Sequence, residues 1–367
     1  MGVKPRSLKA ATEGPPESDA FPPAPHPRDT LDLFGHERAE AELLDAFRSQ
    51  RLPQAWIIGG PQGIGKATLA WRMARFLAAY PDPTAPAVQK AVSLAVDPNH
   101  PATQKISALS FGDLALLRRE WNEKTKKHGT RITVDDVRRA LHIFEQAAGE
   151  GGWRMVLIDS ADDFNANSAN ALLKLVEEPP PRSLFLIVAH QPGRILPTIK
   201  SRCRRLLLQP LPPQELEAAV RTALQTGSEE TDEAELSRAC AKAEGSVREA
   251  LRLLSSADAA FDDLVGQGLS ALPRLNWRAI HKIADNVAGR ERETEYEAFV
   301  AAVFGWLSQA LRRRGGGPRA LAPYAEAWES LEREARDIQI FNLDKRAFVL
   351  GVFSQLAEAE TAARSVA

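Results

Sequence analysis

The residues best suited to chemistry form one run, Gly60-Pro61-Gln62-Gly63-Ile64-Gly65-Lys66-Ala67. Glycines at that spacing let backbone N–H groups curl around phosphate oxygens, and a lysine after the last glycine can neutralise a terminal phosphate. A helix beginning at Lys66 would turn its positive N-terminus toward the same anion. The run reads as a P-loop for a nucleotide such as ATP, with Gly60, Gly63, Gly65 and Lys66 as its contacts. One position departs from the pattern. Ala67 stands where a hydroxyl would bind Mg²⁺. Thr68 is adjacent and is kept as a candidate, although one step along a helix turns a side chain by about 100°. The residue types alone also fit a plain glycine turn between a strand and a helix.

A second candidate is Asp159, at the end of the apolar run Met155-Val156-Leu157-Ile158. A carboxylate at the end of such a strand can reach the metal sphere beside a P-loop, and the residue after it commonly orients the attacking water. Here that residue is Ser160, which cannot act as a general base. Asp159 could equally cap the helix that follows.

Strands must hold these residues. Ala55-Trp56-Ile57-Ile58 reads as a buried strand feeding the glycine run, and an amphipathic helix is expected from Lys66 to Ala79. A helix is expected over residues 37–48, another over 133–148 capped by Thr133, and a third over 167–176. Further strands are expected at 153–158 and 184–188. Residues 81–112 read as irregular. Strands alternating with helices imply a parallel α/β sheet covered on both faces. After Pro210-Leu211-Pro212-Pro213 only helices are expected, with a break near 257–263. Residues 1–28, rich in proline and charge, read as a disordered tail.

Bulk properties exclude several classes. The 367 residues carry a net charge of −1 and 44% hydrophobic residues, which suits two or three soluble domains and not a chain that coats DNA by charge alone. Basic clusters at 124–127, 202–205 and 312–314 are local. Two cysteines, Cys203 and Cys240, cannot make a disulfide framework or a four-cysteine zinc site. With no apolar leader and no long apolar run, a cytoplasmic protein without a membrane span is expected.

Two further segments carry a resemblance. Asn170-Ala171-Leu172-Leu173-Lys174-Leu175-Val176-Glu177-Glu178-Pro179-Pro180 and Leu196-Pro197-Thr198-Ile199-Lys200-Ser201-Arg202-Cys203, following a P-loop and an Asp-ended strand, are similar to the DNA polymerase III clamp-loader family of AAA+ proteins. The resemblance spans roughly residues 31–254. It implies that Arg202 is an arginine finger, acting in the nucleotide site of a ring neighbour. A planar, permanently charged fork suits γ-phosphate oxygens. Taken alone, Arg202 also fits a basic surface cluster with Arg204 and Arg205. Gly245-Ser246-Val247-Arg248 resembles the start of the helix that carries the family's sensor-2 arginine, which would be Arg248. An ordinary exposed arginine fits there too.

Members of the family's delta-prime branch keep the finger while their P-loops often degrade. Ala67, Ser160 and an intact Ser201-Arg202-Cys203 fit that branch. So does the lack of a long C-terminal extension. The resemblance implies a weak or inactive ATPase without a polymerase site, working beside motor subunits and a delta subunit in a five-membered ring. That ring would load a sliding clamp onto primed DNA. Many relatives hold a four-cysteine zinc module, but residues 81–150 contain no cysteine, so none is expected. The expected domains are an AAA+ module over 29–210, a helical lid over 211–257 and a helical collar over 258–367. Trp306, Leu307, Phe341, Phe348, Val349, Leu350 and Phe353 would form either the collar's apolar face or its core. An active motor of the same family, or an unrelated P-loop enzyme with a small substrate, are the alternatives.

Overall fold

The computed structural model describes residues 15–144, 152–225, 232–254, 256–289, 292–313, 318–341 and 343–366. The chain divides into two compact units, Met1–Leu251 and Arg252–Ala367. Among the described residues, no helix is long and apolar enough to cross a membrane.

In the first unit the strands are β1 (Ala55–Gly59), β2 (Leu114–Leu117), β3 (Trp121–Asn122), β4 (Lys127–His128), β5 (Arg154–Ile158), β6 (Ser183–Ala189) and β7 (Arg204–Leu207). Five of them form one sheet in the order β2-β5-β6-β1-β7, while β3 and β4 pair as a small separate hairpin. All four pairings in the large sheet are parallel. The helices are α1 (Glu37–Arg48), α2 (Lys66–Ala79), α3 (Pro86–Lys90), α4 (Pro101–Ser107), α5 (Val134–Leu141), α6 (Ala166–Glu177), α7 (Pro197–Lys200), α8 (Pro213–Gln225), α9 (Glu233–Lys242) and α10 (Val247–Leu254).

The apolar runs explain the sheet. Strands β1 and β6 are buried at every residue, as a parallel sheet covered on both faces requires. Alternation along β1 divides the core. Trp56 and Ile58 pack with Trp71, Met73 and Phe76 of α2, whereas Ile57 packs with Leu172 and Val176 of α6. Burying one such side chain contributes about 1.5–3 kcal/mol. The helix starts follow local chemistry. Thr133 and Asp136 form a reciprocal capping box at α5, and Asn165 and Ser168 form another at α6. The expected helix at 133–148 ends its α-helical part at Leu141 and continues as a short 3₁₀ turn to Phe144. Residues 145–148 lie outside the described residues.

Four expectations change. Residues 81–112 are not irregular throughout, because α3 and α4 each start at a proline, which suits a first helical turn. Strands β2 and β7 are additional to those expected: each is four residues long at a sheet edge, and three of the four β7 residues are exposed, so no apolar run marks it. The break expected near 257–263 is helical instead. Phe261, Val265 and Leu269 recur every four residues on the buried side of one helix, Ser256–Ser270. The expected disordered tail is corrected for residues 15–28, which are folded against the first unit. His26 is buried, and Glu17 and Asp19 pair with Arg28 and Arg118. Composition predicted too little apolar area for folding, but ion pairs and six prolines lower the need for it. Residues 1–14 of that expectation lie outside the described residues.

The second unit is helical: α11 (Ser256–Ser270), α12 (Trp277–Val287), α13 (Glu293–Arg313), α14 (Pro318–Phe341) and α15 (Lys345–Val366). Leu307, Phe348, Val349 and Phe353 are buried in its core, and Trp306 and Leu350 pack against it. These residues form the bundle interior, not an outward apolar face, because each lies where α13 or α15 meets its neighbours. The Phe341 side chain lies outside the described residues.

Candidate functional site

The glycine run joins β1 to α2 at the carboxyl end of the sheet, where parallel α/β folds take their ligands. Gly63 has φ +76°, and a Cβ there would lie 2.4 Å from Ser246 Oγ and 2.5 Å from Arg248 Cβ. Only glycine lets the start of α10 approach the loop so closely. Two hydrogen bonds hold that approach. Ser246 Oγ donates to Gln62 O at 2.9 Å, and the Val247 N–H donates to Gly63 O at 2.9 Å. Gly60 crosses Leu208, whose carbonyl oxygen would be 2.6 Å from an added Cβ. Gly65 caps α2.

Lys66 is only 3% exposed, and its ammonium donates to Pro61 O within the loop. Burial pulls its pKa down to about 8, against the fields of Asp159 and Asp162. A buried cation held inside a glycine loop is poised for an anion, whose charge would compensate the desolvation. Ala67 packs against the core beside it, and Thr68 is half-buried one residue further along α2.

Asp159 directly follows β5 and is partly buried. Burial pushes its pKa up to about 7, with Asp19, Asp163 and Asp162 adding to the rise and Lys66 opposing it. Ser160 is buried and places no carboxylate at that position. Asp162 accepts hydrogen bonds from the backbone N–H groups of His190 (2.6 Å) and Gln191 (2.8 Å), fixing the end of β6.

The structure therefore brings Gly60, Gly63, Gly65, Lys66, Asp159 and Arg248 to one end of the sheet. It adds two residues that the sequence did not single out. His190 follows β6, between the P-loop strand and the Asp159 strand, and burial with the Lys66 field holds its pKa down at about 4. His36 Nε2–H donates a 2.6 Å hydrogen bond to Ile64 O, tying the chain before α1 to the loop. A histidine ending an all-apolar strand was the available signal for the first. The second had none, since its partner is a backbone carbonyl 28 residues away.

Arg202 lies elsewhere. Register pairs Gly59 with Leu207 and Trp56 with Arg204, so Arg202 precedes the amino end of β7 while the P-loop follows the carboxyl end of β1. The four residues of β7 alone span roughly 13 Å. Arg202 is 40% exposed. Its Nε meets Glu177 Oε1 at 2.8 Å, and its Nη1 donates to Thr198 O at 3.0 Å. Cys203 packs inward, and burial pushes its thiol up to about 12, which leaves it protonated and inert.

Parts of this chain are similar to known proteins. A family model described as DNA polymerase III, delta subunit, matches residues 35–212. The chain is 38% identical over 149 residues to DNA polymerase III subunit delta' of Pseudomonas aeruginosa, a match covering 41% of each chain. It is 31% identical over 195 residues to DNA polymerase III subunit gamma/tau of Mycobacterium tuberculosis, covering 52% of this chain and 30% of the relative. The match thus spans less than half the length of either relative. A solved gamma subunit-related protein of Thermotoga maritima aligns over 87% of this chain and 99% of its own at 15% identity, with a TM-score of 0.39 that carries no conclusion. Residues 35–212, which hold the P-loop and the five-stranded parallel sheet, are thus similar to subunits of DNA polymerase III.

Proposed function

We propose that this chain is a delta-prime-type subunit: a stator of the clamp-loader ring that supplies Arg202 to the ATP site of a neighbouring motor subunit. The observation that carries this reading is the position of Arg202, on the far end of β7 from its own P-loop and exposed. It is out of reach of its own nucleotide site, and its guanidinium is held by the exposed Glu177 carboxylate, the Thr198 carbonyl and the neighbouring Ser201 hydroxyl. Exposed pairs are worth about 0–1 kcal/mol, so a γ-phosphate across an interface could take the guanidinium at little cost.

The chain's own site fits a polyphosphate better than it fits turnover. Gly60, Gly63 and Gly65 shape the loop, Lys66 supplies buried charge, and Arg248 stands beside Gly63. Ala67 offers Mg²⁺ no hydroxyl, and Ser160 offers water no base. ATP binding without efficient hydrolysis is the expected behaviour. The same two residues speak against an active motor subunit, and the family match speaks against an unrelated small-substrate enzyme. In this reading the partners are motor subunits and a delta subunit in a five-membered ring, acting on a sliding clamp and primed DNA during replication.

The test is reconstitution with the motor and delta subunits, followed by Arg202→Ala. Clamp-loading ATPase should fall at least about a hundredfold while the ring still assembles. Full activity in the assembled variant would remove the finger assignment. A chain that stays monomeric with every partner would remove the whole reading.

A further inference from the structure

The proline-rich segment before α1 packs against α2, Arg248 and Arg118, around the end of the sheet that carries the P-loop. It starts from α2, where Arg75 donates to Arg28 O (3.0 Å) and Thr30 O (2.7 Å) and His26 meets the ring of Trp71 edge-on at 6.2 Å. It then crosses to the far side of the site. Phe21 lies against Arg248, with the guanidinium carbon 4.5 Å from its ring centroid. Arg118 donates to Asp19 Oδ1 at 2.6 Å and to Glu17 Oε1 at 2.7 Å. Arg28 donates to both oxygens of Glu17 at 2.7 Å, closing the segment on itself. Arg118 follows β2 directly, and the Asp159 N–H donates to Leu117 O at 2.9 Å, so this clasp stands beside the Asp159 strand. The Asp19 side chain is 1% exposed, and His26 Nε2 approaches its free oxygen to 3.2 Å.

We propose that residues 15–28 are an intramolecular strap that closes this chain's own nucleotide cleft, so that a nucleoside triphosphate and the docked strap exclude one another. Two contacts carry the exclusion. Phe21 covers the guanidinium of Arg248, the group placed to meet phosphates. Asp19, ion-paired with Arg118, pins the segment beside the strand end that leads into Asp159. Six prolines restrict the free segment, which lowers the entropic cost of docking it. The strap keeps the cleft empty without altering Arg202, which lies on the other end of the sheet.

This inference rests on reading the P-loop as a nucleotide site, and the test separates the two. Full-length wild type, the double variant Glu17→Ala/Asp19→Ala and Phe21→Ala are titrated with a fluorescent N-methylanthraniloyl derivative of ATP. Hydrogen–deuterium exchange of residues 15–28 is followed in the same samples. Both variants should exchange faster there and bind the probe at least about tenfold more tightly, since the competent fraction rises as the strap is released. Saturating ATP should speed exchange of the same residues in wild type. Faster exchange with unchanged affinity would overturn the exclusion, and unchanged exchange in both variants would overturn the clasp. Faster exchange with no probe binding in any form would instead overturn the P-loop reading. Lys66→Ala on the double variant must abolish the gained binding, or the probe is not in the P-loop.

Discussion

The two ends of the sheet treat their charges in opposite ways. At the carboxyl end, Lys66 is buried, bonded within its own loop and lowered in pKa, while Asp159 is raised and Arg248 lies under an aromatic ring. At the amino end, Arg202 is exposed and weakly held, and Cys203 beside it is packed as an inert thiol. A site that turns over its own ligand keeps its reactive groups accessible and its base in place. Here the inward site is self-satisfied and lacks two chemical groups, while the outward arginine is complete. The difference is what the proposed stator role requires, with the chain's chemistry performed in a partner's site.

Four changes would break or sharpen that contrast. The largest effect belongs to Arg202→Lys in the reconstituted ring. A lysine keeps the charge but loses the planar fork, so ATPase should recover no more than about a tenth of wild type. Recovery to full activity would mean that Arg202 acts only as a point charge. In the isolated chain, thermal unfolding should be unchanged by either Arg202 substitution, because the Glu177 pair is exposed.

Next is Gly63→Ala at the inward site. The added methyl meets Ser246 and Arg248 and imposes a strained φ, so a loss of about 2 kcal/mol is expected in urea unfolding of the full chain. A neutral outcome would show that α10 moves freely away from the loop.

Asp159→Asn should stabilise at neutral pH, and the sign follows from linkage. The folded carboxyl titrates near 7 and the unfolded one near 3.8, so between those values the folded state holds a proton that unfolding releases. Stability contributed by that proton is complete below about 3.8 and lost as pH rises through about 7. The asparagine should therefore gain about 1 kcal/mol or more at pH 8 and nothing near pH 4, read as melting temperature against pH. A destabilised variant at pH 8 would refute the buried carboxyl penalty.

The smallest effect belongs to Glu177→Ala. Removing an exposed partner of Arg202 should change stability by less than about 0.5 kcal/mol. In the ring it should leave ATPase at or slightly above wild type, because the arginine is already free to leave. A marked loss of activity would show that Glu177 orients the finger.

Local pattern made much of the scaffold legible. The runs Ala55-Trp56-Ile57-Ile58 and Met155-Val156-Leu157-Ile158 became β1 and β5 because fully apolar stretches can be satisfied only inside a covered sheet. Helix α2 and the Thr133 cap followed from spacing and side-chain oxygen chemistry. Edge strand β7 was hidden, since Arg204 and Arg205 face solvent and only pairing with β1 makes them a strand. His36 was silent, because its meaning lies in a loop carbonyl supplied by another segment, and His190 was marked only by its place after an apolar strand.

By itself the sequence determined the P-loop strand and helix, the missing hydroxyl at 67, the missing carboxylate at 160 and the presence of Arg202. These depend on residue identity and short-range spacing, which one segment carries alone. Only the tertiary structure decided that Arg202 and Lys66 stand at opposite ends of one sheet, and that residues 15–28 pack against Arg248 and Arg118. Strand direction, register and long-range ion pairs fix those relations, and each needs a partner about a hundred residues or more away in the chain.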